Sequence, residues 1–171
     1  MSMLVAEVQL QLIHFLTQKV HLCFEIQYIE KIIPLIEIQQ YPNSTPYFVG
    51  LINISGVSVP VIDLAIRLGL RRPERYSLST PIILCNDNSR QIGIIVDEVL
   101  GLATVDKKKL QMQNRLTDPE SPFKAVISIE GKLALLLKIQ KILSTNLNQA
   151  GKNQSIPFDI HSMNLTEFKH E

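Results

Sequence analysis

The sequence contains no tryptophan, only two cysteines, and 19% charged residues, against about 25% in an ordinary soluble domain. Each scarcity excludes something. With aromatics at 6% and hydrophobic residues at 46%, the core must be built from Ile, Leu and Val, a composition that favours strands. Cys23 and Cys85 form no CxxC pair and cannot make a disulfide framework, so both are expected as buried, reduced thiols. No basic flank leads into an apolar run at the N-terminus, and no stretch of about 20 apolar residues occurs. The expectation is therefore a cytoplasmic chain without a signal peptide or a membrane-spanning helix.

Recognisable chemistry is equally scarce. No GxGxxG, GxxxxGK[ST] or GxSxG pattern is present. Ser55 lies beside Gly56, but at a hairpin tip, where a nucleophile elbow would not form. Asp97 and Glu98 are adjacent, so on a strand they face opposite ways and make a poor acid–base pair. His21 and Cys23 share one face of a strand, yet no second His/Cys pair is spaced to complete a metal site. No catalytic residue, metal or cofactor is expected. A formal net charge of +1 with mixed signs argues against a nucleic-acid partner. The short runs Arg71-Arg72-Pro73-Glu74-Arg75 and Lys107-Lys108-Lys109 read as solvated loop or helix faces.

What the sequence does hold is short alternating segments between turns. Leu10, Leu12 and Phe15, then a polar break at Thr17-Gln18-Lys19, then Val20, Leu22, Phe24 and Ile26 predict a hairpin. A helical turn follows from Ile26, and Leu35, Ile36 and Ile38 predict a short strand. Residues 42–46 form a loop by composition. In GLINISGVSVPVIDL, residues 50–64, Ile52 and Ile54 alternate before Ser55-Gly56, and Val57, Val59 and Val61 alternate after it. All five are expected in the core or at the interface between subdomains. Pro60 cannot donate to a ladder, which predicts an edge or an irregularity there. Asp63 is placed to cap the turn Leu64–Leu68, and Gly69 to end it.

A second β-rich half is expected from Thr80. Ile82 to Cys85 form a continuous apolar run, residues 86–89 a turn, and Ile92 to Val96 a returning strand. Val126 to Leu137 predict a last hairpin around Glu130-Gly131-Lys132, with a short helix to Leu143. Residues 144–171 change character to a polar linker and a weakly amphipathic tail. The expected organisation is one domain of two intertwined β-barrel subdomains over residues 1–143 and a tail over 144–171. Many short strands and few short helices predict an all-β fold of two small barrels packed together.

The run PNSTPYFVGLINISGVSVPVIDLAIRLGL, residues 42–70, resembles the most characteristic stretch of CheW-like domains. GIIVDEVLGLATV, residues 93–105, is similar to that family's Val-Asp strand. Residues 10–26 and 125–143 are similar to its opening hairpin and its final hairpin and helix. The resemblance implies two five-stranded SH3-like barrels and no catalytic activity. It implies a scaffold that joins the cytoplasmic tips of chemoreceptors to the regulatory domain of a CheA-type histidine kinase, in a chemotaxis or surface-motility pathway. The protein would then be membrane-associated through a receptor array, without inserting into the membrane.

The same resemblance implies partner-binding roles for Lys31, Ile32, Leu35, Ile54, Ser55 and Val57. It leaves structural turn or cap roles for Gly50, Gly56, Asp63, Gly69, Asp97 and Gly131. Two departures stand out. Lys31 occupies a position where the family usually has Glu, and Ser55 one where it usually has Arg. An Arg beside Lys31 would place like charges together, and Ser55 removes that conflict. Lys138 and Ala125 also replace a usual acidic residue and a frequent Gly. These changes leave open a divergent interaction domain that regulates a different signalling protein.

Overall fold

The computed structural model describes residues 8–42, 45–110 and 118–143; the tail expected after residue 143 lies outside them. Ten strands are present among the described residues: β1 (Gln9–Thr17), β2 (Val20–Glu25), β3 (Ile29–Pro34), β4 (Phe48–Ile54), β5 (Val57–Asp63), β6 (Pro81–Asn86), β7 (Gln91–Ile95), β8 (Glu98–Asp106), β9 (Phe123–Ile129) and β10 (Lys132–Leu137). Two short helices accompany them, α1 (Leu64–Arg67) and α2 (Ile139–Leu143). The strands form two five-stranded sheets, ordered β8-β1-β2-β10-β9 and β3-β6-β7-β5-β4. The expected all-β pair of five-stranded units is therefore present.

The units are not successive halves of the chain. The first and last hairpins share a sheet through the parallel pair β2–β10. In the other sheet, β6 and β7 are inserted between β3 and β5 by the parallel pair β5–β7. The chain thus passes back and forth between the two sheets. Beyond β3, the backbones of Gln39 and Leu51 exchange two hydrogen bonds of 2.8 Å. This bridge ties the continuation of one edge strand to the other edge, β4, and closes that sheet on itself.

The shared hydrophobic seam explains the continuous apolar runs. Along β6, Ile83 and Cys85 face a central cluster, while Ile82 and Leu84 face the interior of their own unit. Along β10, Leu135 and Leu137 face the centre and Ala134 and Leu136 the other unit's interior. Strands covered on both faces need no polar alternation. Full burial of each such Leu or Ile contributes roughly 1.5–3 kcal/mol. Both thiols are buried, and burial pushes Cys23 up to about 12.

Three two-residue hairpin turns carry positive φ at both central positions: Gln18-Lys19, Ser55-Gly56 and Glu130-Gly131. Such turns match the right-handed twist of the flanking strands. Gly69 (φ 75°) ends α1 as expected, with Leu70 N–H donating to Ala65 O and Gly69 N–H to Ile66 O. Gly50 departs from its expected turn role. It lies inside β4 at a register shift, with φ 151°, and a Cβ there would sit 2.3 Å from the Gln39 carbonyl oxygen. Gly50 is what lets the closing bridge approach.

Three other expectations need correction. The strand after the first hairpin is Ile29–Pro34, and Leu35 to Ile38 are irregular chain leading to the bridge at Gln39. Pro60 lies in an interior strand, but pairing with β7 covers only Val61 to Asp63, so its nitrogen meets a locally unpaired side. Val57 is 57% exposed at the hairpin tip, and Ile54 is only half-buried, packed against the edge of its unit's interior cluster.

Candidate functional site

The candidate partner-binding residues occupy two places. Lys31 and Ile32 lie on the edge strand β3, paired to Leu84 and Ile83 of β6. Both are exposed, and Leu35 beyond the strand is half-buried. Ile54, Ser55 and Val57 form the tip of the β4–β5 hairpin. Leu35 and Ile54 pack against the same interior cluster, but β3 pairs with β6, and the bridge from Gln39 to Leu51 lies beyond β3, so no ladder pairs Lys31 or Ile32 with the β4–β5 tip. No hydrogen bond joins Lys31 to Ser55. Lys31 has no ion-pair partner among the described residues, whereas its neighbour Glu30 accepts from Asn86 Nδ2 (2.7 Å) and from Gln91 Nε2. The Ser55-Gly56 turn is held locally: Gly56 N–H donates to Asn53 Oδ1 at 2.8 Å.

A surface that the sequence reading did not single out lies on β8. Leu102 is 72% exposed, and its strand partner is Ile13, a member of the central cluster. It therefore continues the face of the sheet that forms the seam, beyond the point where the other unit covers it. Leu100 is exposed at the register shift opposite His14 and Phe15. The available signal was two leucines on the strand positions that alternate with Val99, Ala103 and Val105.

The polar residues are mostly absorbed by structure. Asp63 is fully buried and caps α1, accepting from Ile66 N–H at 3.3 Å. It does more than cap. Asp63 Oδ2 accepts from Arg72 Nε and from the Tyr76 hydroxyl, both at 2.5 Å, and Oδ1 from Arg72 Nη2 at 3.2 Å. Arg72 Nη1 also donates to Asp97 Oδ1 at 2.7 Å, and Asp97 Oδ2 accepts from Gln18 N–H and Nε2 at 2.5 and 3.1 Å. Arg72 is thus a buried clamp rather than a member of a solvated run. It joins the end of β5, in one sheet, to the turn of the β1–β2 hairpin in the other. Burial lowers the Arg72 pKa, and the bonds to Asp63 and Asp97 more than reverse this. Desolvation, with the Asp63 hydrogen bond and charge, raises Tyr76, which stays a neutral donor.

His21 meets His14 rather than Cys23: His14 Nε2 and His21 Nδ1 lie 2.9 Å apart, one donating to the other. Cys23 turns into the interior of its own unit. No group of three or more His, Cys, Asp or Glu among the described residues is placed to hold a metal. No helix there is long and apolar enough to cross a membrane. The arrangement offers exposed apolar side chains around isolated charges, on a frame in which Asp63, Arg72 and Asp97 are paired with one another.

The family model for the CheW-like domain matches residues 11–146, and the chain belongs to that family. It is 30% identical over 122 residues to the chemotaxis protein CheW of Thermotoga maritima, covering 71% of this chain and 80% of that protein. It is 27% identical to the chemotaxis protein CheW of Rhizobium meliloti, over 82% of this chain and 91% of the relative. The crystal structure of the scaffolding protein TtCheW from Thermoanaerobacter tengcongensis has the same fold, with a TM-score of 0.73 at 20% identity, covering 84% of this chain and 97% of that one.

Proposed function

We propose that this protein is a non-enzymatic coupling scaffold that links chemoreceptors to a CheA-type histidine kinase in a chemotaxis or surface-motility pathway, working in the cytoplasm at a receptor array. The observation that carries this reading is the family match over most of the chain. The relatives named chemotaxis protein CheW support the pathway. Exposed Ile32, Val57 and Leu102 supply apolar area of the kind a docking partner covers.

A second reading is favoured by Lys31 and Ser55. If partners of the usual type meet Glu and Arg at these places, this chain presents them with a cation and a neutral hydroxyl. It would then serve a different signalling protein. The test is capture of a CheA-type kinase regulatory domain by the parent and by the variant carrying Lys31→Glu with Ser55→Arg. Both positions are exposed, so melting should move by no more than about 1 kcal/mol equivalent. Binding of a standard kinase domain should improve by about tenfold or more if the second reading holds. Tight capture by the parent, weakened in the variant, supports the first. Equal capture by both removes these two positions from the docking surface.

A further inference from the structure

Arg67 closes α1 on the seam between the units, where Leu64, Ala65 and Leu68 are buried in the central cluster. Its Nε is buried and has no hydrogen-bond partner. Its guanidinium carbon lies 5.5 Å from the centroid of the Tyr47 ring, itself a seam residue. Among the described residues no carboxylate pairs with it; the acids of this region, Asp63 and Asp97, are both taken by Arg72. Two residues before Tyr47, the Thr45 hydroxyl is also buried without a partner.

This is a costly arrangement for a free protein. Arginine does not lose its proton in proteins, and burial works against the charge here, lowering its pKa, with Tyr47 acting the other way. The ring offsets part of the lost hydration but accepts no conventional hydrogen bond in the guanidinium plane. Buried polar groups left unpaired are rare enough to require a reason. Arg72 has the same side chain in the same part of the fold and hydrogen-bonds to a carboxylate through each of its three nitrogens, so the fold can pair an arginine when pairing serves the structure.

We propose that Arg67 is a docking point for a carboxylate side chain, Asp or Glu, carried by a protein partner. The inference rests on the reading of this chain as a scaffold and adds to it the chemistry of one contact. With Nε facing protein, the carboxylate is received end-on by the two terminal nitrogens, in the planar geometry that arginine provides and lysine does not. Tyr47 beneath the guanidinium holds that plane in place before the partner arrives. Because α1 packs on the seam, a charge bound there touches the element on which both units converge.

The experiment uses the full chain and its Arg67→Met and Arg67→Lys variants. In the free protein, Arg67→Met keeps the aliphatic stem against Tyr47 and orphans no carboxylate, so its melting temperature should equal or exceed that of the parent. A fall of more than about 5 °C, on the usual scale for a domain of this size, would show that Arg67 serves the fold and overturn the proposal. Against a CheA-type kinase regulatory domain, Arg67→Met should bind about tenfold more weakly or worse and lose part of the parent's salt dependence. Arg67→Lys should recover only some of that affinity. Parent-like binding by Arg67→Met, with the same salt dependence, would also overturn it.

If the parent does not bind the kinase domain, the scaffold reading fails there, and Arg67 is read by a second probe. The Arg67 Nε–Hε resonance is followed while a capped peptide of alternating Glu and Ala, or acetate at the same carboxylate concentration, is added. A saturable shift with the peptide alone supports a protein carboxylate. An equal shift with acetate means a general anion site, and no shift with either means no site; both results refute the proposal.

Discussion

Replacing Arg72 by Met removes the one cation from a buried pair of carboxylates. Asp63 is fully buried, the Arg72 side chain is 9% exposed and Asp97 26%. After the substitution Asp63 keeps only the Tyr76 hydroxyl and the Ile66 N–H as donors, with no positive charge in contact. Asp97 keeps Gln18 and enough access to solvent to be screened. The loss therefore falls mainly on Asp63. Breaking a buried pair from one side costs about 3–5 kcal/mol, and the exposure of Asp97 places the expectation at the lower end, about 3 kcal/mol. A domain has only about 5–15 kcal/mol in total.

Urea unfolding followed by far-ultraviolet circular dichroism reads this directly. With a slope of about 2 kcal/mol per molar, the midpoint should fall by about 1.5 M at unchanged slope. Adding Asp63→Asn to Arg72→Met removes the stranded charge while the amide oxygen can still accept from Ile66. The double variant should recover part of the loss, an interaction energy that the cycle isolates. A midpoint shift below about 0.5 M for Arg72→Met alone, at unchanged slope, would refute the reasoning. Asp63 would then be solvated well enough without the arginine, and the two sheets would not depend on this clamp.

The strand content was legible in the sequence because the hairpins are local. Ser55-Gly56 and Glu130-Gly131 announce tight turns, and the alternation of Ile52, Val59 and Val61 gives their register. The first hairpin was legible from alternation alone, since Gln18-Lys19 adopts the same geometry without glycine. What could not be read is non-local. Nothing in β2 or β10 states that they pair in parallel, or that β6 and β7 insert beside β5. Gly50 looked like a turn because its reason for being glycine is the Gln39 carbonyl, which a topology must bring there. Arg72 looked solvated because it stands in a charged run, and its two acids lie 9 and 25 residues away. The candidate docking residues were legible only through family likeness. Exposure of Leu102 depends on how far the other unit reaches across the seam, which no local pattern encodes.

The closing bridge predicts a contrast between two glycines. Gly50→Ala meets a carbonyl oxygen and an unfavourable φ together and should cost at least about 2 kcal/mol, whereas Gly131→Ala, with open space around it, should cost about 1 kcal/mol. Equal urea midpoints for the two would show that the bridge opens at no cost. The His14–His21 contact predicts a pH dependence. His14 is buried, and this burial, then the charge of His21, holds its pKa below the ordinary 6.5, with Glu130 acting the other way. The unfolded chain takes up the His14 proton first as pH falls, so the contribution of neutral His14 is fully present above pH 6.5. It is lost progressively as pH drops toward the lower folded value. The contact itself works in the same direction, because a nitrogen must accept for the 2.9 Å hydrogen bond to exist, and two protonated rings only repel. The urea midpoint should therefore fall as the pH drops below about 6.5, and the fall should be smaller in His14→Phe, which fills the same space without a titrating group. Groups away from this contact contribute equally to both proteins, so the difference between the two slopes isolates His14 together with its contact to His21. Parallel slopes would mean that the His14 proton is bound as readily in the folded protein as in the unfolded chain.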